Sequence, residues 1–487
     1  MSALWELTAT EIATRVRGRE VSAAAVVESF LDRIEHVEPA VRAYTTVAAD
    51  QARRTARDLD ARIAAGEETG PLAGVPVGVK DVLLTAGLRT TGGSLAYDDH
   101  VPAHDDPVVA RIRAAGGIVL GKTTTYELAY GPGEGVVPQT RNPWSTALSP
   151  GGSSSGSAAA VASGTAAIAV GTDGGGSIRC PASWCGVLGL KPTRGLVPVT
   201  VDTALPGLSS WASLGHVGPI ARTVEDAALL LAVIAGPDPL DPLSFPPSFP
   251  SFGGGGLDFL DGPRDLTGLR AVYSPDWGYA AVDAEVRQVV VDVVALLARE
   301  LGLAVERRDP AWANPGPLMA PLIAGDSDLA GMRRLAERGR GLRTPSIRGL
   351  LEHPWTAEEL ATAALGRRAF AARMEEYLAG ADLLLTPTVA VLPFPVDEDG
   401  PAGPGGAALD IVDWCPFTFA MNLTGQPAVT IPAGWTRDGL PVGLQVAGRR
   451  FDDALLLRVA AAVERALPWA HHRPELPTAL PTPTRGA

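Results

Sequence analysis

Two serine-bearing glycine loops lie within residues 151–181, and their residue types suit catalysis better than those of any other segment. The first loop carries Ser153, and the second is a run of three glycines at 174–176 that ends at Ser177. Successive residues without a Cβ atom allow backbone N–H groups to converge on one point, which is how proteins hold a developing oxyanion. A serine at the end of such a run can attack a carbonyl carbon. The alternative is that its hydroxyl only caps a helix that begins there.

A serine nucleophile needs a base, and the sequence offers two candidates. His216 lies among glycine and apolar residues, a setting in which a lone histidine is more often a structural hydrogen-bonding group. Lys80 follows the apolar run 75–79. Burial at the end of such a strand lowers the pKa of a lysine from its ordinary value of about 10.4, which makes the amine a base. The residues alone favour Lys80 without excluding His216.

Elements that would position these residues follow from the sequence pattern. The small residues at 157–164 predict a closely packed helix, and 167–170 predict a short buried strand. The chain would then run loop, helix, strand, loop, an order that can bring Ser153 and Ser177 together. The run 75–79 predicts a strand that carries Lys80 at its tip.

Helices and strands alternate through the rest of the chain. Residues 22–37 predict an amphipathic helix that ends before Pro39. Residues 270–273, 283–301 and 303–306 predict a strand, a helix and a second strand, which form a βαβ unit. Such alternation predicts one α/β layered fold.

We expect one domain over residues 1–475. Glycine and proline (55 and 42 of 487 residues) are abundant and indicate many turns. They are dense at 238–263, where we expect a surface excursion within a variable region at 240–381. The tail 476–487 is expected to be loosely held.

Composition excludes several classes of protein. Lys and Arg total 41 against 54 Asp and Glu, a net charge of −13, so the chain lacks the basic surface that nucleic acid requires. The odd set Cys180, Cys185 and Cys415 fits reduced thiols and lacks the fourth ligand of a structural zinc site. The sequence shows no secretory signal and no apolar run long enough for a membrane helix. We expect a cytoplasmic protein without metal or cofactor that binds neither nucleic acid nor membrane; a homodimer is compatible with the sequence.

Residues 151–181 resemble the signature of the amidase signature hydrolases. Gly152-Ser153-Ser154, Thr172-Asp173 and Ser177-Ile178-Arg179 are in register with it. Other similar motifs cover nearly the whole chain and are sparsest at 240–381; they are Gly78-Val79-Lys80-Asp81, Gly121-Lys122-Thr123, Thr140-Arg141-Asn142-Pro143-Trp144, Gly189-Leu190-Lys191-Pro192-Thr193, Gly218-Pro219-Ile220-Ala221-Arg222-Thr223-Val224-Glu225-Asp226 and Asn422-Leu423-Thr424-Gly425-Gln426-Pro427.

The resemblance implies an α/β/α layered domain with a central mixed β-sheet flanked by helices. It also implies a Ser-cisSer-Lys triad, with Ser177 as nucleophile, Ser153 as relay after a cis Gly152–Ser153 peptide, and Lys80 as base. The implied oxyanion hole consists of backbone N–H groups of Gly174, Gly175, Gly176 and Ser177. Supporting roles fall to Ser154, Asp173 and Arg179.

Two further segments are similar to parts of relatives that line the substrate site. The first contains Ala129, Tyr130 and Gly131, and the second contains Trp414, Phe417 and Phe419. These residues predict an aryl or apolar group in the substrate, although they could equally be ordinary core residues. The expected reaction is hydrolysis of the C–N bond of small carboxamides through an acyl-enzyme, with carbamates and esters as chemically accessible substrates.

Three alternatives remain. Residues 116–123 match a phosphate-binding loop, although 118–120 look like a strand. Residues 152–156 match the nucleophile elbow of α/β-hydrolases and would make Ser154 the nucleophile of an esterase, but 142–150 do not resemble the strand that must precede it. The chain could also be one component of an amidotransferase that acts in a complex. Cys415 weakens that hypothesis because transamidating relatives tend to carry an acid at this position.

Overall fold

The computed structural model describes residues 3–131, 139–200, 202, 204–208, 211–246, 265–337, 342–398, 400–402, 409 and 411–476. Two predicted segments fall largely outside this range. The surface excursion is described as far as residue 246, and the tail only at residue 476. Within the excursion, residues 238–244 form a tight turn in which the backbone N–H of Asp238 donates to Ser244 Oγ at 2.9 Å.

A single sheet of eleven strands runs through the described part of the chain. Its spatial order is β1-β3-β2-β4-β6-β5-β10-β11-β9-β7-β8. In chain order the strands are β1 Tyr44–Val47, β2 Pro76–Lys80, β3 Ile118–Thr123, β4 Ile168–Asp173, β5 Leu188–Lys191, β6 His216–Ala221, β7 Arg270–Tyr273, β8 Ala304–Arg307, β9 Leu383–Pro387, β10 Ala428–Trp435 and β11 Pro441–Gly448.

The sheet is mixed, as predicted. Strand β2 lies parallel to both β3 and β4, and β7 lies parallel to β8 and β9, whereas the other pairs are antiparallel. The predicted βαβ unit is confirmed, because β7 and β8 pair in parallel register from Arg270 opposite Ala304. Since β2 and β4 are parallel neighbours, their carboxyl ends meet at one edge, where ligand sites of α/β sheets commonly form.

Fifteen α-helices connect the strands within the described residues. The predicted helix at 22–37 is confirmed with Ser22 as its N-cap, but it continues through Pro39 because Val37 and Val41 both pack in the core. The helices are α1 Ala9–Arg17, α2 Ala23–Val41, α3 Ala49–Ala64, α4 Pro107–Ala114, α5 Ser155–Ser163, α6 Arg179–Cys185, α7 Val224–Ile234, α8 Ala284–Leu301, α9 Met319–Gly325, α10 Leu329–Ala336, α11 Pro345–Glu352, α12 Ala357–Tyr377, α13 Ile411–Trp414, α14 Phe419–Thr424 and α15 Asp453–Ala466.

Helices cover both faces of the sheet. Successive strand residues point to opposite faces. In β9, Leu383 and Leu385 belong to the apolar cluster that contains side chains of α7, α8 and α15, whereas Leu384 belongs to the cluster that contains side chains of α12 and α14. In β4, Ile168 and Val170 face the first group, and Ala169 faces α5 and α6. The fold is therefore the predicted α/β/α layered domain.

The helix and strand between the two glycine loops also form as predicted. Every residue of α5 is buried, because Ala, Ser and Gly side chains allow the helix to approach the sheet closely. The strand β4 follows it and ends at Asp173, directly before the second glycine run. No helix in the described residues combines the length and apolar character that crossing a bilayer requires.

Candidate active site

Lys80 lies at the carboxyl end of β2, fully buried beside the end of β4. Its amine donates to Ser153 Oγ at 2.7 Å, to Thr172 Oγ1 at 2.7 Å and to the Thr172 carbonyl at 3.3 Å. Burial holds the pKa of Lys80 well below its ordinary value, and the charge of Asp173 opposes this only in part. A lowered pKa and contact with a serine hydroxyl are the two features that a lysine base requires.

The two glycine loops contact each other as the sequence predicts. Gly152 has φ +32°, and a Cβ atom there would lie 2.5 Å from Pro181 Cδ and 3.3 Å from Ser177 Cα, so any larger residue would separate the loops. Ser154 N–H donates to the Ser177 carbonyl at 3.1 Å. The structure shows no hydrogen bond between the Ser153 and Ser177 hydroxyls, and both residues line the same cavity.

The predicted cis peptide is wrong. The described residues contain no cis peptide bond, so Gly152–Ser153 is trans. Gly152 has a positive φ, which a residue without a Cβ atom adopts readily, and Ser153 Oγ lies 2.7 Å from the Lys80 amine without a cis bond. Ser153 therefore contacts Lys80 although the peptide bond that precedes it is trans.

Ser177 precedes α6 but does not cap it. The N-cap residue is Ile178, which makes no side-chain capping bond, and Ser177 is partly exposed to the cavities described below. The helix-cap interpretation of this serine therefore fails.

The backbone donors near Ser177 differ in their availability. The N–H of Gly176 donates to Asp173 Oδ1 at 2.8 Å, so it is already used, and its inclusion in the predicted oxyanion hole is wrong. Among the described residues, no acceptor is found for the N–H groups of Gly174, Gly175 and Ser177. These three donors remain open toward a ligand.

Asp173 and Arg179 form a buried ion pair behind the second loop. Arg179 Nε and Nη2 each lie 2.9 Å from a carboxylate oxygen of Asp173, and Arg179 also donates to Gln445 Oε1 and Asn422 Oδ1 at 2.7 Å. Burial alone would raise the pKa of Asp173, but the charge and hydrogen bonds of Arg179 and the amide of Asn422 outweigh it and hold that pKa below its ordinary value. The carboxylate remains ionised and fixes the backbone at Gly176.

Ser154 joins the loops without facing a cavity. Its hydroxyl donates to the Thr172 carbonyl at 3.0 Å and accepts from Thr172 N–H at 3.2 Å, and its side chain is fully buried. Residues 139–151 contain no strand, so the nucleophile elbow does not form. The α/β-hydrolase alternative is therefore wrong.

The phosphate-loop alternative is also wrong. Gly121 and Lys122 lie inside β3 rather than in a loop before a helix. The Lys122 amine is fully buried and donates to the Leu83 carbonyl and, at 2.7 Å, to Thr85 Oγ1. It is not available to a nucleotide phosphate.

Two cavities meet at Ser177. The first, here the apolar cavity, has a volume of about 510 Å³ including its open mouth and is lined by Tyr130, Trp211, Met319, Ile323, Trp414 and Phe419. The second, here the mixed cavity, has about 800 Å³ and is lined by Leu84, Leu128, Asp202, Leu208, Trp211 and His216. Ala129 borders both cavities.

Four of the six predicted substrate-binding residues line the apolar cavity, and two do not. Gly131 faces Ser346, which would lie 3.0 Å from a Cβ atom at that position. Phe417 is fully buried and stacks edge-on against Trp277 at 5.7 Å between ring centroids. Neither residue lines the apolar or the mixed cavity.

Several residues that line the cavities were not predicted from the sequence. Met319 and Ile323 belong to α9, inside the segment where motifs are sparsest. Trp211 has φ +73°, a left-handed conformation that no sequence signal predicts for tryptophan. Its ring lies 5.0 Å from that of Tyr130, which brings the two walls together.

Within the described residues, His216 makes no hydrogen bond to Ser153 or Ser177. It is buried, its Nδ1 lies 2.8 Å from the Leu214 carbonyl, and burial holds its pKa well below the ordinary value. The described residues contain no group of His, Cys, Asp and Glu side chains able to hold a metal ion. Cys180, Cys185 and Cys415 are buried free thiols.

The sequence of this chain is similar to those of known amidases. The Amidase family model matches residues 25–322 and 333–457. The chain is 39% identical over 483 residues to an acylamidase of Rhodococcus erythropolis, covering 96% of this chain and 97% of that one. It is 37% identical to a component of the glutamyl-tRNA(Gln) amidotransferase of Carboxydothermus hydrogenoformans, covering 97% and 100%.

The structural comparison agrees. A crystal structure of a bacterial aryl acylamidase of the amidase signature family superposes with a TM-score of 0.86 and 30% identity, covering 96% of this chain and 98% of that one. The chain therefore belongs to the amidase signature family, which confirms the resemblance at residues 151–181. It is an enzyme of the class that hydrolyses carbon–nitrogen bonds.

Proposed function

We propose that this enzyme hydrolyses the C–N bond of small carboxamides that carry an aryl or apolar group, with Ser177 as nucleophile, Ser153 as relay and Lys80 as base. The observation that carries the proposal is the 2.7 Å hydrogen bond between the buried Lys80 amine and Ser153 Oγ. Because burial keeps the pKa of Lys80 well below its ordinary value, the amine accepts a proton at neutral pH. Ser153, in the loop against Ser177, can carry that proton between them.

The reaction proceeds through an acyl-enzyme. Ser177 Oγ attacks the carbonyl carbon while its proton passes through Ser153 to Lys80, and the N–H groups of Gly174, Gly175 and Ser177 bind the oxyanion. Collapse of the tetrahedral intermediate breaks the C–N bond as the proton returns to the leaving nitrogen. Water then attacks the acyl-enzyme and gives its proton to Lys80 through Ser153. Collapse of the second tetrahedral intermediate breaks the bond between the acyl carbon and Ser177 Oγ, the proton returns through Ser153 to Ser177 Oγ, and the acid is released.

Asp173 and Arg179 act on this chemistry as positioning residues. The Asp173 carboxylate holds the Gly176 N–H at 2.8 Å and so fixes the loop whose other N–H groups face the substrate. Ser154 ties the first loop to Thr172 and Ser177. Neither Asp173 nor Ser154 takes part in proton transfer in this mechanism.

Carbamates and esters are further substrates in this proposal. They share an attackable carbonyl and a tetrahedral intermediate with amides, and an ester has a better leaving group. The machinery uses side chains and backbone of this chain, so activity should survive removal of metal ions by a chelator.

The lining of the apolar cavity supports hydrolysis of apolar amides over a role in an amidotransferase complex. None of its described lining residues carries a charge, so it offers no partner for the ammonium and carboxylate groups of free glutamine. The acylamidase from Rhodococcus erythropolis and the aryl acylamidase structure point the same way, since their names describe amide hydrolysis.

The proposal is tested with purified wild type and the variants Ser177→Ala, Ser154→Ala and Lys80→Ala on 4-nitroanilides, an aliphatic amide, an aryl carbamate and an aryl ester. We expect anilide hydrolysis by wild type without ATP or added metal, and near-complete loss in Ser177→Ala and Lys80→Ala. Mass spectrometry of enzyme quenched during turnover of the ester should find the acyl group on the peptide that contains Ser177. Hydrolysis of glutamine in preference to anilides, or an acyl group on Ser154, would contradict the proposal.

A further inference from the structure

The groups around Ser177 are divided between the two cavities. Ser153 and Thr172 line the mixed cavity, whereas Gly175 and Gly176 line the apolar cavity. The Lys80 amine is hydrogen-bonded to both Ser153 and Thr172, so the proton route opens on the mixed side. The division makes the two sides of the nucleophile chemically different.

Resting on the amidase function proposed above, we propose that the acyl group occupies the apolar cavity and the leaving amine occupies the mixed cavity. When the C–N bond breaks, the leaving nitrogen must receive the proton that Ser177 gave up, and its donor must lie within hydrogen-bond reach. Ser153 is that donor, and it faces the mixed cavity. An amine bound on the apolar side would be separated from Ser153 by the acyl carbon and Ser177.

The apolar cavity then selects the acid part of the substrate. Its walls include the rings of Tyr130, Trp211, Trp414 and Phe419 and the aliphatic side chain of Ile323. Such walls bind aromatic and branched acyl groups by burial of apolar area. A wall side chain that is larger or smaller by one or two methylene groups changes kcat/KM for the matching acyl group about tenfold.

The mixed cavity selects the amine by charge. Asp106 and Asp202 line it, and its described lining residues include no Lys or Arg. Asp173, in the same wall, forms an ion pair with Arg179. This arrangement repels an anionic leaving group and accepts a neutral or cationic one. The substrate class is therefore amides of aromatic or branched apolar acids with neutral or cationic amines, and N-acyl amino acids, whose leaving amines carry a carboxylate, are expected to react more slowly.

Selection of the leaving amine by its charge can be tested with the wild-type enzyme alone. Phenylacetyl amides of 4-aminobenzamide and of 4-aminobenzoate have arylamines of similar size that differ in charge. We expect kcat/KM to be about tenfold lower for the aminobenzoate, with the difference shrinking at high salt. Asp202→Asn should narrow the difference as well. Equal rates, or a preference for the anionic amine, would overturn the charge selection.

A matched pair of variants tests the assignment of the two cavities. Ile323→Phe narrows the apolar cavity and Leu208→Phe narrows the mixed cavity. On 4-nitroanilides of acetic, benzoic and phenylacetic acid, Ile323→Phe should lower kcat/KM for the two aromatic acids relative to acetic acid about tenfold. Leu208→Phe should leave that acyl order unchanged and alter the order of the amines.

Partitioning of the acyl-enzyme gives a readout that loss of folding cannot imitate. Added benzylamine competes with water for the acyl-enzyme, and by microscopic reversibility it binds where the leaving amine was bound. Leu208→Phe should lower the ratio of benzylamide to acid, and Ile323→Phe should leave it unchanged. The opposite pattern would overturn the assignment while leaving the amidase function intact. A wild type that hydrolyses no amide would overturn the amidase function itself, and the assignment with it.

Discussion

Lys80 and Arg179 are both fully buried basic residues next to the two glycine loops, yet their surroundings differ in charge. The guanidinium of Arg179 meets the Asp173 carboxylate twice at 2.9 Å and two side-chain amide oxygens at 2.7 Å. The amine of Lys80 meets two hydroxyl groups and one carbonyl, and no carboxylate of the described residues lies within hydrogen-bond distance of it.

The comparison shows two uses of a buried cation. Where a carboxylate compensates the charge, as at Arg179, both groups stay ionised and lock the backbone around Gly176. Where no carboxylate is in contact, as at Lys80, burial holds the pKa of the amine well below its ordinary value. In the proposed mechanism the first arrangement braces the site, and the second supplies its base.

The largest effect is expected from Lys80→Met, which keeps the side-chain volume and removes the amine. The loss of the base should lower kcat/KM on an anilide roughly 10³-fold, because general-base groups contribute about 10²–10⁴-fold. The measurement is steady-state kinetics on the variant after circular dichroism has shown that it is folded.

Lys191→Met is the matched control for this experiment. Lys191 is also fully buried with a pKa held well below its ordinary value by burial, but its amine donates to the carbonyls of Gln426 and Pro192, and it lines neither cavity. Its replacement should change kcat/KM by less than about tenfold. Comparable losses in both variants would mean that burial of lysine, rather than contact with Ser153, is what matters.

Next in size is the destabilisation expected from Arg179→Met. It leaves the Asp173 carboxylate buried without a counter-charge and should lower the free energy of unfolding by about 3–5 kcal/mol, measured by urea denaturation. The double variant Asp173→Asn/Arg179→Met removes the stranded charge and should recover part of that loss. If Arg179→Met had the same urea midpoint as wild type, the Asp173–Arg179 ion pair would not stabilise the fold.

The sequence was sufficient for the parts of the site that depend on local pattern. The strand before Lys80 follows from the apolar run at 75–79, and the helix between the loops follows from the small residues at 157–164. The strand after that helix and the contact between the Ser153 and Ser177 loops follow from the order loop, helix, strand, loop. Thr172 as a partner of Lys80 was missed, because it depends on which strand lies beside β2.

Features that depend on tertiary packing could not be predicted. Phe417 lies only two residues from Phe419, but one packs against Trp277 and the other lines the apolar cavity, a difference set by the turn before α14. The use of the Gly176 N–H by Asp173 depends on a side-chain rotamer within a loop. Ile323 and Trp211 reach the cavity from distant segments that carry no motif.

A smaller effect concerns pH and stability. The pKa of Lys80 is lowered by burial in the folded protein and is about 10.4 in the unfolded chain, so between the folded and unfolded pKa values the unfolded state binds one more proton. Wild-type stability should therefore rise relative to Lys80→Met by about 1.4 kcal/mol per pH unit as the pH increases toward about 10. Urea denaturation of both proteins at about pH 7, 8 and 9 measures the difference. If the difference in stability between wild type and Lys80→Met stayed constant with pH, the Lys80 amine would be charged in the folded protein. Lys80 would then resemble Arg179 in its charge.

Ser154→Ala should have the smallest effect and sharpens the boundary between bracing and chemistry. The variant loses the hydrogen bonds between the Ser154 hydroxyl and the backbone of Thr172, so the free energy of unfolding should fall by about 1 kcal/mol. Because the Ser154 backbone N–H still binds the Ser177 carbonyl, kcat/KM should fall less than about tenfold. A loss as large as that of Ser177→Ala, with stability unchanged, would mean that Ser154 takes part in proton transfer and belongs with Lys80. A modest loss that tracks stability would place it with Arg179, among the groups that hold the loops without touching the reacting atoms.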